Sequence, residues 1–483
     1  IRDAQESRGL GDVYKRQKAR CNMKPVVKVI QTAKNEKQAW RKLDDLELFK
    51  YYNFRMNTVS VDSSISYQKL LGFGGAFTEA AAYTWANADE KSKDEIVKAY
   101  FDKEYGLAYN LGRTTIHGCD FSLEPYTYIE EGDLQLSTFD MSREDKWLIP
   151  FLTRAKETAG HSLGILASPW SPPAFMKDNK DINNGGRLLK KNYATWAEYM
   201  VKYIEGMKER GIEIDMISIQ NEPAAKQEWA SCKYEADEEA EFAVDYLYPA
   251  LEKRGLQDKV KIVIWDHNRD LMFRRLNESM AYPGAREKVW GAAFHWYVSD
   301  KSEILTMVHE KFPEKHLLFT EGCVELVNNS GGTSSKAGIG AWKHGEIYGR
   351  NIIKDFNNYN EAWIDWNLLL NEIGGPNYVG NYCEAPVMYD RNTKEIMYNS
   401  SYYYIGHFSR YIEPGAVRIC CRNDVDKGLY SVSFKNPNGD IVTVVQNELN
   451  RKQRLALVVD GQGTNTEIPA HSITTFITKN SQE

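Results

Sequence analysis

The chain has 483 residues, 42% of them hydrophobic and 27% charged, with a net charge of −6 at neutral pH. A pI near 6.0 and the lack of any basic stripe interleaved with aromatics argue against a nucleic-acid partner. No run approaches the ~18 uninterrupted apolar residues of a membrane-spanning helix, and the length suits one barrel of ~250 residues or more beside a smaller unit.

Residues 1–23 are polar and patternless, lack an initiating Met, and show no apolar stretch of the kind a secretory signal needs. They read as a disordered or non-native leader, with Met23 as the natural start. A cytoplasmic chain is the expectation, with secretion open if the native N-terminus is missing. The seven cysteines (21, 119, 232, 323, 383, 420 and 421) are odd in number and form no CxxC pair, which favours a reduced chain over a disulfide framework.

Residues 24–66 contain strand-like runs at Val26–Ile30 and Thr58–Val61. From residue 70 to 366, short apolar runs alternate with longer amphipathic stretches. The predicted strands are Leu71–Gly75, Leu111–Ile116, Leu163–Ala167, Met216–Gln220, Lys261–Trp265, Gly291–His295, His316–Thr320 and Ala362–Trp366. Helical patterns separate most of them, at Asp89–Phe101, Arg143–Thr158, Tyr193–Arg210 and Glu235–Arg254. Eight strands alternating with helices predict a parallel sheet closed into a (β/α)8 barrel over 67–400. Residues 401–483 revert to polar–apolar alternation punctuated by Asn436-Pro-Asn-Gly439 and Gly461-Gln-Gly463, which is hairpin chemistry. The economical arrangement is one β-sandwich made from 24–66 and 401–483, flanking the barrel.

Strand ends of such a barrel converge on one mouth, so the end residues form a candidate site. Glu222 follows the fourth strand in Ser218-Ile-Gln-Asn-Glu-Pro223, and Glu321 follows the seventh in Leu317-Leu-Phe-Thr-Glu-Gly-Cys323. Two carboxylates at strand mouths are the minimum equipment for cleaving a glycosidic bond. Beside them stand Arg113, Asp120, Trp170, Asn221, His295, Tyr297 and Trp366. No Lys stands at a strand end for a Schiff base, and neither a phosphate-binding Gly-rich loop nor a metal-ligand spacing occurs. The 12 Trp and 29 Tyr add flat faces that stack on sugar rings, although packing is their commoner task. Each residue alone has a plainer reading: Glu as a loop cap, Arg113–Asp120 as a structural ion pair, Trp170 and Trp366 as core aromatics. Glu222 and Glu321 together outweigh it.

The order of motifs is similar to that of glucosylceramidase-type glycoside hydrolases of family 30. The resemblance runs from about residue 50 to 420 and rests on Gly72-Phe-Gly-Gly-Ala-Phe-Thr-Glu79, Gly112-Arg113, Cys119-Asp-Phe-Ser122, Ala167-Ser-Pro-Trp-Ser-Pro-Pro173, Gln220-Asn-Glu-Pro223, His295-Trp-Tyr297, Thr320-Glu-Gly-Cys323, Asp365-Trp-Asn367, Gly374-Gly-Pro-Asn377 and Gly406-His-Phe-Ser409. It implies a retaining, exo-acting β-glycosidase without a cofactor. In this likeness Glu222 is the acid/base, Glu321 the nucleophile, and Asn221 the partner of the sugar 2-hydroxyl. Arg113, Asp120, Trp170, His295, Tyr297, Trp366 and Asn381 line the sugar subsite or orient the nucleophile. Thr-Glu-Gly-Cys replaces the Ser-Glu-Ala-Cys of human-type glucosylceramidases, leaving the acidic function unaltered. The implied partner is a β-glucoside, glucan or glycolipid; glucosylceramide-like lipids, β-1,6-glucans, small β-glucosides and β-xylosides all stay open, as does the oligomeric state. A silent carbohydrate-binding barrel is the reading of another class, but such proteins usually lose one carboxylate. Retention predicts carboxyl groups ~5–5.5 Å apart, a Glu222 pKa raised by burial and by Glu321, and a Glu321 kept ionised by Arg113 and Tyr297.

Overall fold

A computed structural model describes residues 26–36, 38–50, 56–326 and 338–480; the leader expected at 1–23 lies outside them. The chain divides into two compact units, Tyr67–Arg418 and the pair of terminal segments Ile1–Ser66 and Ile419–Glu483.

The first unit is the eight-stranded barrel. Its strands are β1 (Gly72–Phe77), β2 (Leu111–Ile116), β3 (Gly164–Pro169), β4 (Met216–Ser218), β5 (Lys261–Asn268), β6 (Gly291–His295), β7 (His316–Glu321) and β8 (Ala362–Asn367). All neighbours pair in parallel, and β8 closes on β1. Inside, Leu111, Leu166, Met216, Val263, Ala293, Leu318, Ala362 and Ile364 form one apolar cluster, the packed interior that parallel strands with helices outside require. Gly74 lets β1 lie close on β2: a Cβ there would fall 2.2 Å from the Leu111 carbonyl oxygen.

The outer helices follow the sequence where caps and period agree. Glu90–Phe101 starts at Asp89, whose side chain accepts from the Ser92 N–H, and it buries Ile96, Val97, Tyr100 and Phe101. The stretch expected as one helix over 143–158 is two, Ser142–Lys146 and Leu148–Ala159, broken at Trp147. Glu235–Arg254 is interrupted by a π-helical turn at Phe242–Leu247.

One boundary moves. Residues 401–418 belong to the barrel unit, not to the sandwich, because Ser400–Ser409 is a helix. Its Tyr- and Phe-rich composition favours strands, yet Tyr404, Ile405 and Phe408 recur at helical spacing and are buried. It lies against the helix Trp342–Asn357, where Gly345 donates its N–H to Ser400 Oγ at 2.9 Å.

The second unit is a β-sandwich drawn from both ends of the chain. Val26–Ala33 runs antiparallel to Ser472–Thr478, and Asn57–Lys69 runs parallel to Gln453–Val459. Val27, Val29, Val59, Val61, Leu455, Leu457 and Phe476 form its core, as the period-2 alternation requires.

Candidate active site

Three irregularities in the barrel ladder build the site. Ala293 pairs with Trp265 but Phe294 pairs with His267, so Asp266 is an extra residue in β5. In the same way Thr320 is extra in β7 against β6, and Trp366 is extra in β8 against β1. Such bulges re-aim side chains at barrel rims. Here they turn Asp266 to Arg113, Thr320 to Asp266 and Trp366 to the mouth. Strain accompanies them: Trp265, Asp266 and Glu222 have φ of 73°, 40° and 49°, a left-handed conformation that non-glycine residues adopt only when the surroundings enforce it. The Glu222 N–H donates to the Asp266 carbonyl at 2.9 Å, and the Asn221 N–H donates to that of Pro169 at 2.8 Å. The acid is thus fixed by backbone bonds to β3 and β5.

Arg113, buried at the barrel axis, joins four strands. Its Nη1 donates to Glu321 Oε2 at 2.6 Å, its Nη2 to Asn221 Oδ1 at 2.9 Å and to Asp266 Oδ2 at 2.8 Å, and its Nε to Ser168 Oγ at 3.1 Å. Asp266 also accepts from Ser168, Ser218 and Thr320 hydroxyls at 2.7–2.9 Å. Burial would raise its carboxyl, but Arg113 and His295 hold it well below the usual carboxylate range. Sequence reasoning missed Asp266. It carries the same signal as the two glutamates, an acid directly after an apolar strand run.

His295 lies between two acids, with Nε2 3.1 Å from Asp266 Oδ1 and Nδ1 3.2 Å from Glu222 Oε1. Because Asp266 is ionised, Nε2 must carry a hydrogen. Nδ1 then meets Glu222 either as an N–H facing a carboxylate or as a lone pair facing a carboxylic acid. Burial would lower the imidazole, but Glu321, Asp266 and Glu222 hold it up at about 9. Burial likewise pushes Glu222 up, yet His267 and His295 pull it further down, to about 2. The raised Glu222 expected from burial is therefore corrected: its proton rests with the His295–Glu222 pair as a unit.

Burial and the Glu222 charge push Glu321 up, against the pull of His295 and Arg113. Its Oε2 takes the Arg113 bond and its Oε1 accepts from the Tyr297 hydroxyl at 2.9 Å. The charge-assisted Arg113 bond favours its carboxylate form. Reactive atoms of Glu222, Glu321 and His295 all lie within 4.8 Å of one another.

These groups face a cavity of about 470 Å3. Asp120, Trp170, Asn221, Glu222, Tyr297, Glu321, Trp366 and Asn381 line it, as the sequence anticipates. Arg113 and His295 stand behind the wall and act through the carboxylates they hold. Trp170 and Trp366 stack 5.3 Å apart, with the Arg113 guanidinium 4.8 Å from the Trp170 ring. Asp120 is pushed to about 7 by burial and by Glu321, and Asn377 and Asn381 each approach its Oδ2 at 3.4 Å. Gln227, Trp229, His267, Asn268 and Val298 also line the cavity; none was singled out in the sequence. No helix among the described residues is long and apolar enough to cross a membrane.

Comparison with known proteins agrees with this geometry. The family 30 TIM-barrel domain of the glycosyl hydrolases matches residues 70–412, and the β-sandwich domain of the same family matches 415–476. The lysosomal acid glucosylceramidase of Mus musculus is 30% identical over 85% of this chain and 81% of its own length. The crystal structure of SrfJ from Salmonella typhimurium superposes with a TM-score of 0.88 at 35% identity, covering 94% of this chain and all of that one. The endo-β1,6-glucanase BT3312 superposes with a TM-score of 0.80 at 26% identity, over 94% of this chain and 99% of its own. With both domains matched in order and the paired glutamates at the ends of β4 and β7, the chain belongs to glycosyl hydrolase family 30.

Proposed function

We propose that this glycoside hydrolase is a retaining, exo-acting β-glycosidase that removes a terminal β-linked hexose by double displacement. The observation that carries the reading is the separation of the Glu222 and Glu321 oxygens, within 4.8 Å. Retaining enzymes place their carboxyl groups ~5–5.5 Å apart, whereas inverting ones leave room for a water at ~6.5–9.5 Å. Glu321 attacks the anomeric carbon while Glu222 passes a proton to the departing oxygen. Glu222 then takes a proton from the water that hydrolyses the glycosyl–Glu321 ester.

The surroundings support these roles. Arg113 and Tyr297 hold Glu321 as a carboxylate aimed at the cavity. The His295–Glu222 pair retains one proton up to about pH 9, so the acid is loaded at neutral pH even though the proton can rest on the imidazole. Exo action is supported by the way three loops are tied together beside Asp120. The Tyr378 hydroxyl donates to Asn183 Oδ1 at 3.2 Å and accepts from the Ala230 N–H at 3.1 Å, while the Tyr378 N–H donates to the Asp120 carbonyl at 3.2 Å. The Trp170–Trp366 stack and Asp120 would hold the ring at that end.

Two measurements test the assignment. Proton NMR of early product should show the β-anomer, and a cyclitol epoxide should label Glu321 alone. An inverted product or a label on Glu222 would overturn the roles. The relatives include both glucosylceramidases and an endo-β1,6-glucanase.

A further inference from the structure

Two thiols stand in the cavity wall on the nucleophile side, and double displacement uses neither. Cys323 and Cys383 are free and buried, yet both line the cavity. The ladder between the short strands Val324–Glu325 and Cys383–Glu384 pairs Glu325 with Cys383. Cys323, two residues before Glu325, therefore lies diagonally across from Cys383 on the same face. There the two thiols hydrogen-bond to each other, and the Cys383 thiol donates onward to the Asn381 carbonyl at 3.8 Å. Cys323 Sγ also lies 3.6 Å from the Tyr297 hydroxyl, the group that donates to Glu321.

We infer that Cys323 and Cys383 are a dithiol modification site, closed to a disulfide by a peroxide small enough to enter the cavity, and that closure stops turnover. The effect on turnover rests on the proposed glycosidase reading; the closure itself does not. Two thiols and one peroxide give one disulfide and two waters. The Cys383 sulfur attacks the O–O bond and becomes a sulfenic acid as the first water leaves. The Cys323 sulfur then displaces that hydroxyl, which departs with the Cys323 proton as the second water. Together the sulfurs give up the two electrons that the peroxide gains.

Cys383 suits the first step. The hydrogen bond from Cys323 pulls its thiol down, although burial and the charges of Glu325, Asp120 and Glu321 leave it raised overall. Burial and the bond to Cys383 push Cys323 well above the usual thiol range. The thiolate is the reacting form, so closure is slow and Cys383 leads it. Its consequence follows from position: Cys323 stands two residues after Glu321, and Cys383 two after Asn381. Drawing the sulfurs from contact to a covalent bond pulls the end of β7 toward the Asn381 loop, and the nucleophile moves with it.

The test treats the full chain with hydrogen peroxide, maps disulfides by mass spectrometry of unreduced peptides, and follows 4-nitrophenyl β-glucoside hydrolysis before and after dithiothreitol. The inference expects a Cys323–Cys383 link whose yield tracks a fall in kcat/KM of about 10^2, the cost of misplacing a reacting group by about 1 Å. Dithiothreitol should reverse both. Cys383→Ser should keep the parent rate when reduced and resist peroxide; if it does not fold, the link and the rate in the parent decide alone. An open pair after peroxide has oxidised other cysteines, or a Cys383→Ser protein as sensitive as the parent, overturns the inference. So does a link that leaves kcat/KM within about tenfold of the reduced protein. Each of these leaves the glycosidase reading intact. Failure of the reduced protein to hydrolyse any β-glycoside overturns that reading instead, while the peptide map still decides whether the dithiol closes.

Discussion

Arg113 and Arg269 are both among the largest fully buried side chains, and both lie against carboxylates from other elements of the barrel unit. Arg113 meets Asp266 and Glu321; Arg269 meets Asp355, with Asn351 and Ser302 as further acceptors. Taking these charges out of water costs several kcal/mol per ion in either place. The return differs. Asp355 lies on the helix Trp342–Asn357 and is wholly buried, so the Arg269 cluster joins the end of β5 to the helix layer and stops there. The Arg113 cluster ends on Glu321, whose carboxylate opens on the cavity. Its fixed donors face the place where charge changes during reaction, so the burial cost is recovered as catalysis.

Substituting the two acids should separate these uses. Glu321→Gln keeps the shape and leaves Arg113 paired with Asp266, so the protein should fold normally while kcat falls by about 10^5 or more, since an amide cannot attack the anomeric carbon. Turnover near the parent level would break the comparison at its catalytic end. Glu222→Gln should cost about 10^2 to 10^4 in rate for poor leaving groups and far less for activated aryl glycosides, because only the former need a proton at the departing oxygen. A uniform loss across leaving groups would remove Glu222 from the acid role. Asp355→Asn should do the reverse of both: it strips Arg269 of its counter-charge and should lower unfolding stability by about 3–5 kcal/mol, with kcat of the folded fraction within about threefold of the parent. Chemical denaturation beside single-turnover kinetics reads both quantities. A stable but slow Asp355→Asn would mean that the Arg269 cluster also serves the site.

The catalytic half of the comparison was more legible in the sequence than the structural half. Glu222 and Glu321 announce themselves because an acid after a β-branched run marks a strand mouth, and eight such runs fix the barrel. Asp266 carries the same mark but escaped notice, because β5 was expected to stop at Trp265 while it continues through a bulge to Asn268. A bulge depends on φ and on the partner's register, and neither is written in one strand. Gln227, His267 and Asn268 come from a loop and a strand end without periodicity, so only the closed barrel brings them to one wall. The direction of the Glu222 shift was missed for a related reason: the imidazoles that lower it belong to β5 and β6. Arg269 and Asp355 lie 86 residues apart and offered no pattern at all. The helix at Ser400–Ser409 was hidden by composition, since five of its ten residues are aromatic or β-branched.

The gentlest probe of the two clusters is pH. His295 belongs to the Arg113 cluster through Asp266, and its folded pKa of about 9 lies above its ordinary value of 6.5. A group raised on folding contributes stability that is complete below the unfolded pKa and is lost as pH rises through the folded one. Unfolding free energy should therefore decline from about pH 6.5 to 9, by about 3 kcal/mol at most from this group, and His295→Asn should flatten that slope. Activity should fall as pH rises through about 9, because the His295–Glu222 pair then loses the proton meant for the leaving group. His295→Asn should move that basic limb of kcat/KM below 9, since Glu222 must then hold the proton with only burial and the Glu321 charge to favour it. A limb that stays near 9 in the variant would mean that the proton is held elsewhere and that His295 serves only to position Glu222.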